Sequence, residues 1–598
     1  MERDFFATDI GRTIWDSKYR QPGEASIADT WRRVARSLSA SEVEPLKWEE
    51  RFYGILEDFR FLPGGRILAG TGTQKQVTLF NCFVMGIIED SMDGIFEALK
   101  EGALTMQQGG GVGYDFSTLR PRGTPAHHSG TIASGPVSFM RIWDSMCATI
   151  LSTGARRGAM MATLRIDHPD IEEFIDAKRR SGELTRFNLS IQVSDAFMEA
   201  VQADLEWPLL FPAEALDEAA GDLLEREWPG YDQPVPCRVL RRVSARQLWN
   251  RIMRATFDNA EPGVLFVDRV NRTNNLWYRE RITATNPCGE IPLPPYGACD
   301  LGSINLTRFV RDPFRPTAHL DLEGIGQTTG VAVRLLDNVI ETSRFPLAAQ
   351  AEQVRGSRRI GLGITGLADT LIMLGLRYDS EGARQLAESA MATVCHSAYR
   401  TSVGLAKEKG VFPSFERDRY LAGEFIGALP PDIRAEIARY GIRNSHLTAI
   451  APTGTISLLA DNVSSGLEPV FRYWFQRHVL ERNGRRSTHA VTDYAWRIWK
   501  EQHGDAPLSP AFIQVDEVNP EAHLAMQAAL QPYVDSAISK TINVPQDFPF
   551  ERFKEIYRRA HDLDLKGCTT FRPNPVTGAI LEASESAAPC CGIERESD

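Results

Sequence analysis

No stretch of about 18 apolar residues, the length a helix needs to cross a bilayer, occurs in this 598-residue chain. Positive charge is not in excess either. Sixty-seven Lys and Arg stand against 78 Asp and Glu, a formal net charge of −11, so no basic field recruits nucleic acid. An anionic ligand must then be held locally, by backbone N–H groups, helix N-termini and a few arginines. Cysteine is sparse at nine residues, and the charged start Met1-Glu2-Arg3-Asp4 is not followed by an apolar signal segment. A disulfide framework of the secreted type is therefore excluded. The spacing also lacks the repeated C-x-x-C or Cys/His quartet of a zinc site, so no metal is expected. With 43% hydrophobic and 24% charged residues the composition is that of an ordinary globular protein with a large core. A cytoplasmic protein that spends some of its cysteines on redox chemistry is the expectation.

What is there centres on Asn286-Pro287-Cys288-Gly289-Glu290, with Cys299-Asp300-Leu301-Gly302-Ser303-Ile304-Asn305-Leu306 after a Pro- and Gly-containing turn. If the first segment is extended, Asn286, Cys288 and Glu290 share one face, because side chains i, i+2 and i+4 point the same way. The turn could bring Cys299 back to the same site. A buried, inert thiol is the ordinary reading of any one cysteine; an amide, a thiol, a carboxylate and a second thiol together exceed what a core strand needs.

Other segments carry weaker signals. Gln107-Gln108-Gly109-Gly110-Gly111-Val112-Gly113 is a Gly-rich turn suited to close backbone approach by an anion or sugar, but no Gly-Lys-Ser/Thr follows to make it a P-loop. Ala451-Pro452-Thr453-Gly454-Thr455-Ile456-Ser457 follows a strand-like Leu447–Ala451 run and opens a helix-like one, offering N–H and O–H donors to phosphate; plain helix capping is the alternative. Ser357–Asp369 contains a G-x-G-x-x-G match, but a charged Ser-Arg-Arg precedes it and no convincing βαβ unit follows, so a dinucleotide site is rejected. Ile27, Trp31, Val34, Ala35 and Leu38 fall at helical spacing, with Ser26 or Asp29 as cap. A strand-like run leads to Asn81-Cys82, Asp90-Ser91 caps a helix, and Phe187–Val193 alternates like a half-buried strand whose Asn188 and Ser190 could face a ligand. His168 reads as structural, and Cys237 as incidental.

The N-x-C-G-E stretch, the cysteine eleven residues after its own and the L-G-S-I-N-L tail resemble the catalytic chains of ribonucleotide reductases, most closely the adenosylcobalamin-dependent class II. The runs Asp115–Gly123, Ala133–Ser138 and Ser464–Pro469 extend the resemblance over most of the chain. It implies an α/β fold: a ten-stranded barrel of two five-stranded halves with Cys288 on a central finger loop. The expected organisation is a helical segment over 1–60, the barrel with its effector region over 61–575, and a flexible redox tail over 576–598.

The resemblance also implies roles. A thiyl radical at Cys288 abstracts the ribose 3′ hydrogen, Glu290 is base to the 3′-hydroxyl, Asn286 bonds the substrate, and Cys82 with Cys299 supplies two electrons and becomes a disulfide. Asn81, Gly110 and Gly111 would lie at the substrate, whose phosphates the loop Pro452, Thr453, Gly454, Thr455, Ile456 and Ser457 receives. Asp90, Arg156 and Arg157 would contact a dNTP or ATP effector, for which capping and a solvated basic turn are the alternatives. Cys590 and Cys591 would shuttle electrons from thioredoxin or glutaredoxin, although reductase tails usually separate such a pair; Cys568 could contribute instead. The regulatory ATP-binding domain that many reductases carry at the amino end is not expected here, since the residues before the barrel leave no room for it.

Three classes share the barrel. The oxygen-dependent one needs a Tyr-Tyr pair where this chain reads Thr570-Phe571-Arg572, and the glycyl-radical one needs a motif that is missing. Adenosylcobalamin is the expected cofactor, ribonucleoside diphosphates the expected substrates, and a homodimer the expected assembly. A large subunit of the oxygen-dependent class and a non-catalytic nucleotide-binding regulator are the alternatives.

Overall fold

The computed structural model describes residues 5–125, 132–152, 156–179, 182–216, 221–480, 486–573 and 581–582. Helices Asp9–Ile14, Ile27–Ser39 and Pro45–Leu56 form the amino-terminal part. The middle one buries Ile27, Trp31, Val34, Ala35 and Leu38, the face its sequence period marks. Ser26 is its cap, and the Asp29 carboxylate returns to the Ser26 N–H at 2.9 Å, so both candidate caps act together as a capping box.

Ten strands form the central sheet: β1 (Phe61–Pro63), β2 (Cys82–Val84), β3 (Gly111–Asp115), β4 (Met160–Arg165), β5 (Phe187–Val193), β6 (Gly263–Phe266), β7 (Ala298–Asn305), β8 (Ile360–Thr365), β9 (Thr541–Asn543) and β10 (Gly567–Phe571). Strands β2 to β6 run parallel to one another in chain order. Strand β6 then meets β10 antiparallel, β10 pairs parallel with β9, and on the other side β8 pairs parallel with β7, which meets β2 antiparallel. Single bridges complete the path. Leu362 pairs with Thr448 and Ile450 with Ile538, both parallel, through bonds such as Leu362 N–H to Leu447 O at 2.9 Å and Ser539 N–H to Ile450 O at 2.9 Å. The ring thus closes as two five-stranded parallel halves joined antiparallel at both seams, the barrel expected from the resemblance. Strand β1 lies outside this ring, on the far half of β7. The run before Cys82 is not a strand; regular pairing starts only at Cys82.

Inside the ring sits a hairpin, Ala284–Thr285 against Pro292–Leu293. Its Ala284, Ile291 and Leu293 pack with Cys82 and Val84, Cys299 and Leu301, and Ala449 and Ala451. Each of those pairs is spaced by two, so the inward faces of three ring segments grip the hairpin. Small residues make the room. A Cβ on Gly113 would overlap the Thr285 carbonyl oxygen, and one on Gly363 the Ala449 carbonyl oxygen. Gly363 belongs to the G-x-G-x-x-G match, which lies in β8 and serves close packing. Among the described residues no helix is long and apolar enough to cross a membrane.

Replacing Gly113 with Ala should push the hairpin out of register and lower stability by about 1–3 kcal/mol, the cost of overpacking. Gly404, helical and with open space at its Cβ position, should gain about 0.4–1 kcal/mol on the same change. Thermal unfolding of the two variants beside the parent checks both signs.

Candidate active site

The hairpin tip carries the chemistry. Residues 286–290 are not extended: Gly289 donates its N–H to the Asn286 carbonyl at 3.1 Å in a tight turn, and its φ of 85° is one that glycine adopts without strain. Asn286 and Glu290 nevertheless converge, by closing the turn and not by strand alternation. The Asn286 Oδ1 accepts from the Ile291 N–H at 3.0 Å, while its Nδ2 donates to Glu290 Oε1 at 2.8 Å and to Cys82 Sγ at 3.1 Å. Asn286 is fully buried with its amide engaged in the protein, so here it orients Glu290 and Cys82. Cys82 Sγ stands 3.7 Å from Glu290 Oε1. The other Glu290 oxygen, also buried, has no partner among the described residues. A buried acceptor left open in this way is costly unless a ligand or water meets it.

Cys82 and Cys299 are direct cross-strand partners in the β2–β7 seam. Such pairing sets their Cα atoms about 4.5–5.5 Å apart, inside the roughly 4.4–6.8 Å that a disulfide spans. Both are free thiols, and both are buried. Cys288, at the tip, differs from the other described cysteines in being only half-buried. It lies in a cleft of about 600 Å3 with Pro287, Asn188, Ser190, Pro452, Ser465, Gly466 and Cys568 among the lining residues.

Burial sets the protonation states. It lifts Glu290 to about 7, with the Asn286 and Cys82 hydrogen bonds pulling the other way. Burial also raises Cys82 well above an ordinary thiol, reinforced by the Glu290 charge, and raises Cys299 likewise, reinforced by Asp300. Both members of the pair are therefore thiols, not thiolates, at neutral pH.

Pro452 reaches the cleft, and Thr453 and Ser457 are buried. Thr453 Oγ1 lies 2.7 Å from Thr365 Oγ1 and 2.8 Å from Ser457 Oγ. These hydroxyls shape the loop from beneath, while Gly454–Leu459 continues as a short helix.

Other expected residues sit elsewhere. Gly110 and Gly111 do not line the cleft; a Cβ on Gly111 would stand 3.3 Å from Pro287 Cγ, so what approaches this turn is the hairpin. Asn81 is buried beside it, its carbonyl accepting from the Gly111 N–H at 2.8 Å. Ser91, not Asp90, caps the helix Met92–Gln107; Asp90 instead pairs with Arg120 at 2.6 Å. Arg156–Arg157 form a two-residue strand against Leu151–Ser152, and their side chains lie outside the described residues. Cys590 and Cys591 also lie outside them. His168 is a core histidine, bonded to the Leu119 carbonyl at 3.0 Å and pushed down to about 4 by burial. Asn188 and Ser190 line the cleft, and Asn188 also donates to the Pro287 carbonyl at 2.7 Å, steadying the tip. Sequence reading passed over Lys540, which is buried against Glu468 in the cleft wall. An isolated lysine gives no sequence signal, since lysine is ordinarily exposed.

Comparison with known proteins agrees with this arrangement. Residues 80–571 match the model of the ribonucleotide reductase barrel domain, and residues 5–76 that of the ribonucleotide reductase all-alpha domain. A vitamin B12-dependent ribonucleoside-diphosphate reductase of Mycobacterium tuberculosis (strain CDC 1551 / Oshkosh) is 38% identical over 97% of this chain and 80% of its own length. The protein of that name from Thermoplasma acidophilum is 35% identical over 89% of this chain and 66% of its own. A ribonucleoside-diphosphate reductase subunit alpha of Chlamydia muridarum is 28% identical over 75% of this chain and 46% of its own. The closed barrel, the thiol-bearing hairpin inside it and these matches lead to one conclusion: the chain belongs to the ribonucleotide reductase large-chain family.

Proposed function

We propose that the chain reduces ribonucleoside diphosphates to 2′-deoxyribonucleoside diphosphates for DNA precursor synthesis, using adenosylcobalamin. The observation that carries this is the hairpin tip. It offers one reachable thiol, Cys288, to a cleft, with an unsatisfied carboxylate oxygen of Glu290 and a cross-strand thiol pair behind it. The residues fit the cofactor, because a thiol that must give up a hydrogen atom has to face open space, and Cys288 does. When bound, the coenzyme supplies the radical that takes this hydrogen atom.

The chain's own residues do the rest. The Cys288 thiyl removes the 3′ hydrogen of the ribose, and Glu290 takes the 3′-hydroxyl proton, its orientation fixed by Asn286. The 2′ oxygen leaves as water. Two S–H bonds, at Cys82 and Cys299, are broken and one S–S bond is formed; their two electrons and two protons account for the water and the new C2′–H bond. The Cys288 thiol returns its hydrogen atom to C3′. The Pro452–Ser457 loop receives the diphosphate.

Asp90, Arg156 and Arg157 are assigned to a dNTP or ATP effector. The half-exposed apolar side chains Met92 and Phe96 on the neighbouring helix suit a homodimer contact. Thioredoxin or glutaredoxin, acting in the cytoplasm through Cys590 and Cys591, is assigned as reductant.

Purified chain given CDP, a dNTP effector, dithiothreitol and adenosylcobalamin should form deoxy-CDP, and omission of the coenzyme should abolish it. Cys288→Ala should eliminate product while sparing CDP binding measured by calorimetry. Product without the coenzyme, or product from the alanine variant, overturns the proposal.

Glu290 works as a base only when ionised, and burial holds it near 7. Turnover should therefore rise with pH through about 7. Glu290→Gln should lose that limb and slow the reaction by about 10²–10⁴-fold, the usual worth of a positioned general base. A pH–rate profile of the two proteins decides it.

Cys82→Ser and Cys299→Ser should each block steady-state turnover with dithiothreitol as reductant. In a Cys590→Ser, Cys591→Ser variant, whose tail cannot re-reduce the pair, CDP turnover without dithiothreitol should stop after one equivalent and leave a Cys82–Cys299 disulfide. Peptide mapping that finds the two cysteines unlinked after such a turnover would refute the pairing.

A further inference from the structure

Asp369 lies on the helix Leu367–Met373, directly after β8, and is fully buried away from the reacting groups. One of its carboxylate oxygens accepts from the Ser464 N–H at 2.6 Å and the other from the Ala495 N–H at 2.9 Å. Ser464 Oγ in turn accepts from the Asp369 N–H at 3.3 Å. The Ser464 carbonyl takes the Gly366 N–H at 2.7 Å and the Thr365 hydroxyl at 3.0 Å. Every polar group of Ser464 is thus tied to the end of β8 and the segment that follows it.

The next two residues carry this anchorage to the loop above. Ser465 Oγ accepts from the Thr453 N–H at 2.9 Å, and the Gly466 N–H donates to Thr453 Oγ1 at 3.0 Å. Ser465 and Gly466 also face the cleft. A buried carboxylate is expensive unless paired or well bonded. Asp369 meets that cost with two main-chain donors and the side chain of Asp493, which is buried, caps the helix Tyr494–His503 and shares a hydrogen bond with it. Burial raises both carboxyls, Asp493 the more strongly because it also faces the Asp369 charge, while the Ser464 and Ala495 N–H groups favour the charged form of Asp369; the shared proton therefore sits on Asp493. Charge-assisted bonds of this kind are about twice as strong as neutral ones and directional. They make Asp369 a rigid post for the segment that holds the loop.

We propose that Asp369 is the positioning residue of the Pro452–Ser457 loop, holding Ser464 and Ser465 so that Thr453 and its neighbours keep the geometry that receives the diphosphate of a nucleoside diphosphate. The inference rests on the reading of that loop as the phosphate site. It assigns Asp369 no contact with substrate and no part in the radical steps.

The test is the dissociation constant of CDP and of cytidine, by calorimetry on the full chain, for the parent, Asp369→Asn, Ser465→Ala and Gly454→Pro. The last removes a loop amide at the first helical position, and cytidine binding reports whether the fold survives. This variant should weaken CDP alone, as the control on the phosphate reading. Asp369→Asn and Ser465→Ala should also weaken CDP by about tenfold and leave cytidine within about twofold, as expected for losing one hydrogen bond to a charged group. Equal loss of CDP and cytidine would mean a merely structural role and would overturn the proposal. Parent-like CDP binding in Asp369→Asn, with Gly454→Pro impaired, overturns it and leaves the phosphate reading standing. Parent-like CDP binding in Gly454→Pro as well overturns both. Should Asp369→Asn fail to fold, Ser465→Ala alone decides, since parent-like CDP affinity there breaks the relay.

Discussion

Everything at this site depends on threading a hairpin through a closed ring of strands. The insertion removes water from Glu290, Asn286 and Cys82 at once, and the consequences follow from electrostatics. A carboxyl held near 7 by burial can exist in both protonation states at working pH. The two thiols of the seam are kept neutral by the same desolvation. Hydrogen-atom and two-electron chemistry needs S–H groups, whereas thiolates are nucleophiles and metal ligands. One structural act therefore selects the kind of sulfur chemistry available.

The hairpin is costly to hold there. Its backbone approaches β3 at Gly113 more closely than any side chain allows, and the ring gives up Cβ atoms at Gly113 and Gly111 to admit it. Asn286 then compensates for the polar groups brought inside, satisfying the Ile291 N–H, Glu290 and Cys82 with a single amide. One Glu290 oxygen is left without a partner among the described residues. Unsatisfied groups of this kind concentrate where a ligand completes the network.

Where the sequence was legible, the reason was local. The helix Ile27–Ser39 declares itself by period, and the cluster at 286–290 by an unusual concentration of reactive side chains; Phe187–Val193 is a strand as expected, but one buried at every residue except Asn188 and not on one face alone. Even there the geometry was misjudged: a Pro-Cys-Gly tip turns, and Asn286 meets Glu290 across the turn. Cys82 and Cys299 are 217 residues apart in sequence, and only closure of the ring makes them neighbours, which no local pattern encodes. The turn at Gly109–Gly113 looked like a cradle for a ligand because glycine signals close approach without saying by what. Here the hairpin is what approaches. At Thr453 and Ser457 the sequence showed a hydroxyl-rich loop but not that these O–H groups bond to one another and to Thr365, which leaves the loop's backbone N–H groups as its donors to a phosphate.

Burial of the thiol pair also constrains how the enzyme can be recharged. Cys82 and Cys299 are 0% and 1% exposed, and thiol–disulfide exchange requires in-line approach of an attacking sulfur. A folded protein reductant cannot bring its own thiol into the interior of a ten-stranded ring. Either a small dithiol diffuses in through the cleft, or a thiol carried on a narrow length of polypeptide enters it. The second route needs cysteines outside the barrel on an extended segment, the part proposed for Cys590 and Cys591. The depth that keeps the pair as thiols for reduction thus bars direct attack by a folded protein and restricts regeneration to these two routes.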